Sequence, residues 1–413
     1  MKRKLTLFLL CLTAITACKK GSNNNTNPDN KDKGKDLVLT ATEQRQIGPG
    51  NAFTLKLFKE NSNLISNNQN LIVSPLSVSF AIGMTSNGAA GQTLTDISKT
   101  MEFDGFTEDE VNTYHHNLIT NLPQLDPNTS IKIANSIWYA NSFTLLPAFL
   151  KTNTDFYNAE VQALDFNDKA ASLSTINNWV SQQTNNKIPK ILDQMPDGAR
   201  LFLINAIYFK SAWKTRFETK QTYKAPFRLA DNSTVQADFM TNRSVDMKTA
   251  YDNGTNVVEL PYSNDKYSMV LVMPDTDLKG YINTLDQTKW DMLMSKLTAT
   301  KSQITLPKFK FSYDVELKGI LTSMGMGVAF SDQADFSRIN TGGGLKIGEV
   351  KHKAYIDVNE DGTEAAAVTE VGIIVSAPAP TNVYNKPFIF AIREMKTGLI
   401  LFTGVVNNPT LGE

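Results

Sequence analysis

Residues 37–413 contain no long polar linker and no internal repeat, so we expect them to fold as one large domain. The first part of this stretch has helical periodicity, because Phe53, Leu57 and Phe58 suit one face of a helix. Ser74 followed by Pro75 predicts the cap and first turn of a second helix. Long β-rich segments dominate the second half.

Apolar, β-rich runs predict the strands, with polar turns at residues 263–266 and 396–398. Residues 304–311 alternate apolar and polar side chains and are predicted as one strand. The predicted strands are residues 71–73, 131–139, 202–209, 256–261, 267–274, 304–311, 345–358 and the two arms of a final hairpin at 388–406. There is little strand–helix–strand alternation, which favours an α+β fold with large, mostly antiparallel sheets.

The N-terminus is typical of an exported protein. Residues 1–17 combine a positive start with a short apolar run, which indicates a signal peptide too short for a membrane span. The ending at Cys18 resembles the lipobox of bacterial lipoproteins, whose cysteine carries lipid; an ordinary signal with a chance cysteine is the alternative. Residues 18–36 are polar and predict a flexible tether. We expect an extracytoplasmic protein anchored by lipid to a bacterial membrane, at the outer membrane or cell surface.

Composition argues against several function classes. The 41 Lys and Arg residues balance 41 Asp and Glu residues, so nucleic acid is not an expected partner. The two cysteines, Cys11 and Cys18, precede the folded body and only three histidines are present, so neither a metal site nor a cofactor is expected. Signature motifs of hydrolases, zinc enzymes, phosphate-binding loops and dinucleotide-binding folds are missing, and we predict that the chain is not an enzyme.

The histidines give little support to Ser-His catalysis. His115 and His116 follow an acidic run on a predicted helix, and we expect both at the surface. His352 lies in an apolar strand, where a hydrogen-bonded core histidine is the preferred interpretation. A hydrolase with an unrecognised Ser-His pair stays open as an alternative.

Residues 360–380 have properties of both a strand and a loop. Alternate positions from Thr363 to Ile373 are small or apolar, so an extended chain would have one face to bury. Turn residues and prolines flank the segment, as they flank exposed loops. A short helix capped by Thr363 is the alternative, although the β-branched residues and glycine from Val368 onward disfavour it. A loop that can also serve as a strand predicts a conformational switch.

The body, about residues 40–411, resembles the serpin family. The matching motifs are EDGTEAAA at 360–367, NLIVSPLS at 70–77, NAIYFK at 205–210 with Trp213 and Phe217, LPKF at 306–309, VKHKA at 350–354, NKPF at 385–388 and FTG at 402–404. These motifs follow one another in the family's order. The chain is most similar in kind to a bacterial serpin with a lipoprotein-type signal peptide.

The resemblance implies a serpin fold with three β-sheets, eight or nine α-helices and an exposed reactive-centre loop, about residues 360–384, in a single domain of residues 37–413. It also implies suicide inhibition: a protease cleaves the loop and is trapped as an acyl-enzyme while the loop inserts into the central sheet. The hinge of the loop would comprise Glu360, Gly362, Thr363, Glu364, Ala365, Ala366 and Ala367. Val368 departs from the family, which usually has Ala, Gly or Ser there, but it would face outward.

The family's spacing from Glu360 and from Phe388 places the cleaved bond at Ser376–Ala377, with Val375–Ser376 as the rival. The small residue before this bond suits elastase-like or subtilisin-like serine proteases, whose primary pockets are shallow; a cysteine protease is another possible target. Beyond the protease, the implied partner is the membrane, through lipid on Cys18. We expect a monomer.

Two clusters carry over from the family by position. Ser74, Ser77, Asn205 and His352 would form the shutter, a polar network under the central sheet that rearranges when the sheet opens. Trp213, Lys308 and Glu360 would form the breach, where the loop first enters. A solvated Lys308–Glu360 pair worth about 0–1 kcal/mol is the alternative. A serpin-fold binding protein that does not inhibit is the competing function, and the sequence does not decide whether the loop is free or inserted.

Overall fold

The computed structural model of the chain describes residues 34–364 and 381–412. Several predicted features lie outside these residues and stay predictions: the signal peptide, lipidation at Cys18, the hinge residues Ala365, Ala366 and Ala367, and the bond at Ser376–Ala377 with its rival Val375.

Nine α-helices occur in the described part of the chain, most of them before residue 185. The first begins with a capping box in which Thr40 and Glu43 exchange hydrogen bonds. The second begins at Pro75, and the Ser74 side chain caps it as predicted. The helices are α1 Ala41–Leu64, α2 Pro75–Ser86, α3 Gly91–Thr100, α4 Glu108–Asn121, α5 Pro147–Tyr157, α6 Lys169–Gln183, α7 Leu278–Asn283, α8 Gln287–Ser295 and α9 Lys318–Leu321.

Fifteen strands occur in the same residues, and they form two hydrogen-bonded networks. The strands are β1 Leu71–Val73, β2 Thr129–Ala140, β3 Glu160–Leu164, β4 Leu201–Ala212, β5 Tyr223–Arg228, β6 Thr234–Asp252, β7 Thr255–Pro261, β8 Tyr267–Pro274, β9 Thr298–Pro307, β10 Phe309–Glu316, β11 Lys351–Asn359, β12 Gly362–Thr363, β13 Thr381–Val383, β14 Phe388–Glu394 and β15 Ile400–Val406.

The smaller network is the central sheet, with strand order β10-β11-β12-β4-β2-β3. Strands β2 and β4 pair in antiparallel register from Thr129 opposite Ser211 to Tyr139 opposite Leu201. The two-residue strand β12 lies between β11 and β4 and is antiparallel to both. The central sheet therefore contains, near one end, the first residues of the predicted loop.

The larger network has nine strands and is divided by an irregularity in β6 between Asn242 and Val245. On one side lie β1, β15, β14, β8 and β7 with the second half of β6; every residue of β8, β14 and β15 is buried, so these strands form the core. On the other side lie β5, the first half of β6 and β13, and β9 pairs with both halves of β6. Counted this way, the structure has three sheets, and the predicted α+β fold is confirmed.

Residues 304–311 do not form the single strand predicted for them. Strand β9 ends at Pro307 and β10 begins at Phe309, and the two strands belong to different sheets. Pro307 has no N–H to donate to a ladder, and the N–H of Lys308 donates to the carbonyl of Asp238 instead. The apolar positions change phase at the same point, from Ile304 and Leu306 in β9 to Phe309 and Phe311 in β10.

The strand predicted over residues 345–358 begins six residues late, at Lys351. The preceding residues find hydrogen-bond partners outside any ladder: the N–H of Ile347 donates to the carbonyl of Ala329, and the carbonyl of Val350 accepts from Leu317. With these groups satisfied by helical segments, no neighbouring strand extends the sheet there.

The last residues of the predicted tether contact the folded body. The N–H of Lys35 donates to the carbonyl of Leu125, and the Asp36 carboxylate pairs with Lys266 at 2.8 Å and Lys396 at 3.2 Å. Leu37, the first residue of the predicted domain, is buried. In the described ranges, no helix has both the length and the apolar character that crossing a membrane requires.

Candidate functional site at the hinge of the central sheet

The breach residues lie together where the chain leaves β11. Lys308 Nζ is 2.9 Å from Glu360 Oε2, and Thr222 Oγ1 donates to Glu360 Oε1 at 2.6 Å. The side chain of Glu360 is only 9% exposed, whereas that of Lys308 is 38% exposed, so the pair is half-buried rather than fully solvated. Burial by itself raises the pKa of Glu360, but the hydrogen bonds from Thr222 and Lys308 outweigh it and the pKa is lowered.

Trp213 fixes the backbone of the same turn. Its Nε1–H donates to the carbonyl of Asn359 at 3.0 Å, and its backbone N–H donates to that of Asp361 at 2.9 Å. The indole ring stacks on Tyr262 with a 4.6 Å centroid distance and a 6° interplanar angle. The structure thus brings Trp213 together with the turn that carries Glu360; the predicted role of this cluster in loop entry stays a prediction.

The hinge residues Gly362 and Thr363 are inside the central sheet. Gly362 pairs with Asn359 and Ala212, and Thr363 pairs with Val358 and Ser211. Gly362 has a φ of +150°, and a Cβ atom at this position would collide with the carbonyl oxygen of Ser211. A residue with a side chain would therefore not fit at the point where the loop joins the sheet.

Thr363 points into the protein. It is 3% exposed, and its Oγ1 is 2.7 Å from the hydroxyl of Tyr262, which is itself fully buried. Either hydroxyl can be the donor in this bond, so each of the two groups has a hydrogen-bond partner away from water.

Glu364 marks a change in chain direction. Its N–H still donates to the carbonyl of Asp357 at 3.0 Å, but its φ is +56°, in the left-handed region. Its carboxylate is buried beside Lys187, with Oε1 3.6 Å from Nζ. Burial raises the pKa of Glu364, while a hydrogen bond from Tyr208 and the charge of Lys187 oppose this rise.

The residues predicted for the shutter lie close together and make buried or part-buried hydrogen bonds. The backbone N–H of Ser74 donates to His352 Nε2 at 3.0 Å, and Ser77 Oγ donates to Asn205 Oδ1. Asn205 Nδ2 in turn donates to Asn135 Oδ1 at 2.8 Å. His352 is buried, which lowers its pKa to about 4 and keeps the ring neutral, in line with its interpretation as a core histidine.

The predicted surface position of His115 is wrong. It lies on α4 but is fully buried, with Nδ1 3.0 Å from the Tyr157 hydroxyl and Nε2 3.2 Å from Ser79 Oγ. The absence of a side chain on Gly83 gives the ring its space. Burial lowers the pKa of His115 to about 3. His116, the next residue, is half-buried, and its Nδ1 is 3.2 Å from the carbonyl oxygen of Phe156.

Strands β4 and β11 are not paired directly with each other in the described residues; β12 lies between them at one end of the sheet. Beneath Thr363, both strands line a cleft that includes Tyr208 and Ile356. Further along, a second cleft is lined by the shutter residues Asn205 and His352. The sheet is therefore organised around the position that β12 begins to fill.

Sequence reasoning missed Tyr262, Lys187 and Asn135, which contact Thr363, Glu364 and Asn205. Tyr262 directly follows β7, and Lys187 lies in the loop after α6. No local pattern distinguishes these residues from other tyrosines, lysines and asparagines, because their partners are distant in the chain. Among the described residues, no group of His, Cys, Asp and Glu is arranged to hold a metal ion.

Comparisons with known proteins agree with this geometry. The family profile described as "Serpin (serine protease inhibitor)" matches residues 49–409. The bovine (Bos taurus) leukocyte elastase inhibitor is 34% identical over 391 residues, covering 91% of this chain and 97% of that protein. The native state of tengpin, a thermophilic serpin, aligns with a TM-score of 0.82 and 32% identity, covering 91% of this chain and 96% of tengpin.

A further structural relative is human thyroxine-binding globulin in a hormone complex, with a TM-score of 0.82 and 27% identity; the alignment covers 90% of this chain and all of the globulin. The family match covers most of the chain, and the fold aligns with that of a solved serpin. The chain therefore belongs to the serpin family, whose members named here as inhibitors block proteases and are not themselves enzymes.

Proposed function

We propose that this protein inhibits a serine protease by a suicide mechanism. The protease cleaves the reactive-centre loop and forms an acyl-enzyme, and the loop then extends β12 into a full strand between β11 and β4. The observation that carries the proposal is the place of Gly362 and Thr363, which are already paired on both sides in the central sheet. Each ladder hydrogen bond gained in this way contributes about 0.5–1.5 kcal/mol.

The proposed cleavage site is Ser376–Ala377, with Val375–Ser376 as the rival, and the proposed targets are elastase-like or subtilisin-like. The support is the family's spacing from Glu360 and Phe388 and the small residue before the bond. The similarity to an elastase inhibitor agrees with this choice. A cysteine protease is the second target class.

A non-inhibitory binding role is the alternative, and the similarity to thyroxine-binding globulin supports it. The hinge favours inhibition, because its first inserted residue is a small Thr363 whose hydroxyl is satisfied inside the protein. A large or charged residue there would oppose entry of the loop.

We also propose that the mature protein is anchored through lipid on Cys18 and carried away from the membrane by the polar tether. The support is the signal-like residues 1–17 and the polar residues that follow Cys18. The anchor would place the inhibitor on the outside of a bacterial cell. We propose that it acts there as a monomer.

The test is incubation of the protein with an elastase, a subtilisin, a trypsin and a cysteine protease, followed by denaturing electrophoresis. Inhibition by the proposed mechanism yields a covalent complex that survives SDS with the elastase or the subtilisin. Mass spectrometry of the released peptide should find Ala377 at its N-terminus. Cleavage of the loop without any complex, by every protease in the panel, would favour the binding role instead.

A further inference from the structure

The hinge of the uncleaved chain already occupies two positions of the central sheet. Gly362 and Thr363 have ladder partners on both sides, and Thr363 is buried. At the far end of the loop, β13 pairs in parallel register with β9. The two described ends of the loop are therefore both held in strands while the chain between them is intact.

Tyr262 is placed to receive Thr363. Its ring is held by the stack on Trp213, by an edge contact with Phe209 at 5.3 Å, and by a backbone bridge to Trp213. In the part of the chain that the structure describes, Thr363 Oγ1 is the only hydrogen-bond partner of the Tyr262 hydroxyl. If the hinge left the sheet, this hydroxyl would have to find water or remain unpaired in a fully buried position.

Glu364 shows where the inserted segment stops. Its N–H keeps the register with Asp357, but its left-handed φ of +56° turns the chain out of the extended conformation. Such a conformation is uncommon for a residue with a side chain and requires surrounding support. The buried contact with Lys187 provides that support on the outer face of the sheet.

We infer that Tyr262 is a positioning residue that holds the hinge two residues inside the central sheet before any protease arrives. Loop insertion then starts from a strand end that is already aligned, so the ordering of the first residues does not have to occur during the short life of the acyl-enzyme. This consequence for inhibition rests on the proposed function, whereas the position of the hinge does not.

Hydrogen–deuterium exchange of the intact, full-length mature chain tests the position without a protease. In wild type, the amides of residues 361–364 should exchange slowly. Tyr262→Phe and Thr363→Val each leave one hydroxyl buried without its partner and should accelerate this exchange about tenfold or more, a change of about 1.4 kcal/mol. The double variant removes both hydroxyls and should return to within about threefold of wild type.

Tyr267→Phe is the matched control. Tyr267 is also buried, and its hydroxyl donates to the carbonyl of Leu122 at 2.5 Å, away from the hinge. This variant removes the same atom and one hydrogen bond, yet it should leave exchange at residues 361–364 unchanged. Equal acceleration by Tyr267→Phe would mean that the sheet loosens generally, and this would overturn the role of Tyr262.

Other results distinguish failure of the inference about Tyr262 from failure of the proposed inhibitory function. Rapid exchange of residues 361–364 in wild type would overturn the inference even if the protein forms covalent complexes with proteases. A double variant that exchanges faster than either single variant would overturn it as well, because the pair would then make no specific contribution. Slow wild-type exchange with the expected cycle, but no covalent complex with any protease, would leave the inference standing and remove the proposed function.

If both ideas hold, Tyr262→Phe should raise the number of inhibitor molecules consumed per protease about twofold or more, and the double variant should restore it. An unchanged stoichiometry, together with an expelled hinge, would overturn the link between hinge position and inhibition.

Discussion

Replacing Thr363 with arginine should convert the inhibitor into a substrate. Thr363 is 3% exposed, and its contact at 2.7 Å is the neutral hydroxyl of Tyr262. An arginine with the same backbone position would bring a guanidinium group beside the Tyr262 hydroxyl and the stacked ring of Trp213. Neither of these neighbours carries a negative charge that could balance the arginine. Burying one uncompensated charge in this way costs several kcal/mol, about 3 kcal/mol at the low end.

The free-energy cost of burying the charge arises at the first step of insertion, so all later steps are delayed. A barrier raised by about 3 kcal/mol slows insertion roughly 100-fold. Deacylation of the protease does not depend on the hinge and keeps its rate. The cleaved variant should therefore be released as product, cut at the wild-type bond, with little covalent complex.

The assay titrates a fixed amount of elastase with Thr363→Arg, and Thr363→Ser serves as the control because it keeps the hydroxyl at the same position. The cleaved wild type should also melt far above the intact form, since insertion adds a strand, and the cleaved arginine variant should gain less. If Thr363→Arg inhibits with the rate and stoichiometry of wild type, the insertion mechanism proposed for this loop is wrong.

Three further predictions test target choice, anchoring and pH dependence. Ser376→Arg should shift inhibition from elastase-like toward trypsin-like proteases by at least tenfold in rate, and a released peptide that begins more than two residues from Ala377 would refute the assigned bond. Cys18→Ser should release the protein from the membrane fraction or leave its signal peptide uncleaved; a wild-type protein that is fully soluble and carries no lipid by mass spectrometry would contradict the anchor. His115 and His352 have pKa values lowered by burial to about 3 and about 4, so below pH 6.5 the unfolded chain binds more protons than the folded one. Their contribution to stability is complete above about pH 6.5 and is lost as the pH falls toward 4, by about 2 kcal/mol per histidine at pH 5. Denaturant unfolding measures the loss of unfolding free energy between pH 7.5 and pH 5. This loss should be about 2 kcal/mol smaller in His115→Gln than in wild type, and an identical loss would mean that His115 is not neutral in the folded protein.

Local patterns in the sequence were sufficient for α1, α2 and the strands β1, β2, β4, β7, β8, β14 and β15. The cap at Ser74 and the proline after it place the start of α2, because these residues satisfy the free N–H groups of a helix end without help from elsewhere. The hairpin of β7 and β8 follows from two apolar runs around a polar turn. The short connection makes the two strands antiparallel. The motif at 360–367 likewise predicts the hinge from the sequence alone.

Tertiary structure decided what depends on groups far apart in the chain. His115 is buried because Ser79 and Tyr157, from two other helices, satisfy both of its ring nitrogens; an acidic run beside it gave no sign of this. The strand predicted over residues 304–311 divides between two sheets, since pairing partners, and not side-chain alternation, determine sheet membership.

The state of the hinge was also beyond the sequence. Its alternating small residues allow both a loop and a strand, and a period of two describes either state equally well. The choice depends on whether β4 and β11 leave a place for a strand and whether a buried hydroxyl waits to receive Thr363. Tyr262 lies 101 residues from Thr363 in the chain, so only the folded protein brings the two together.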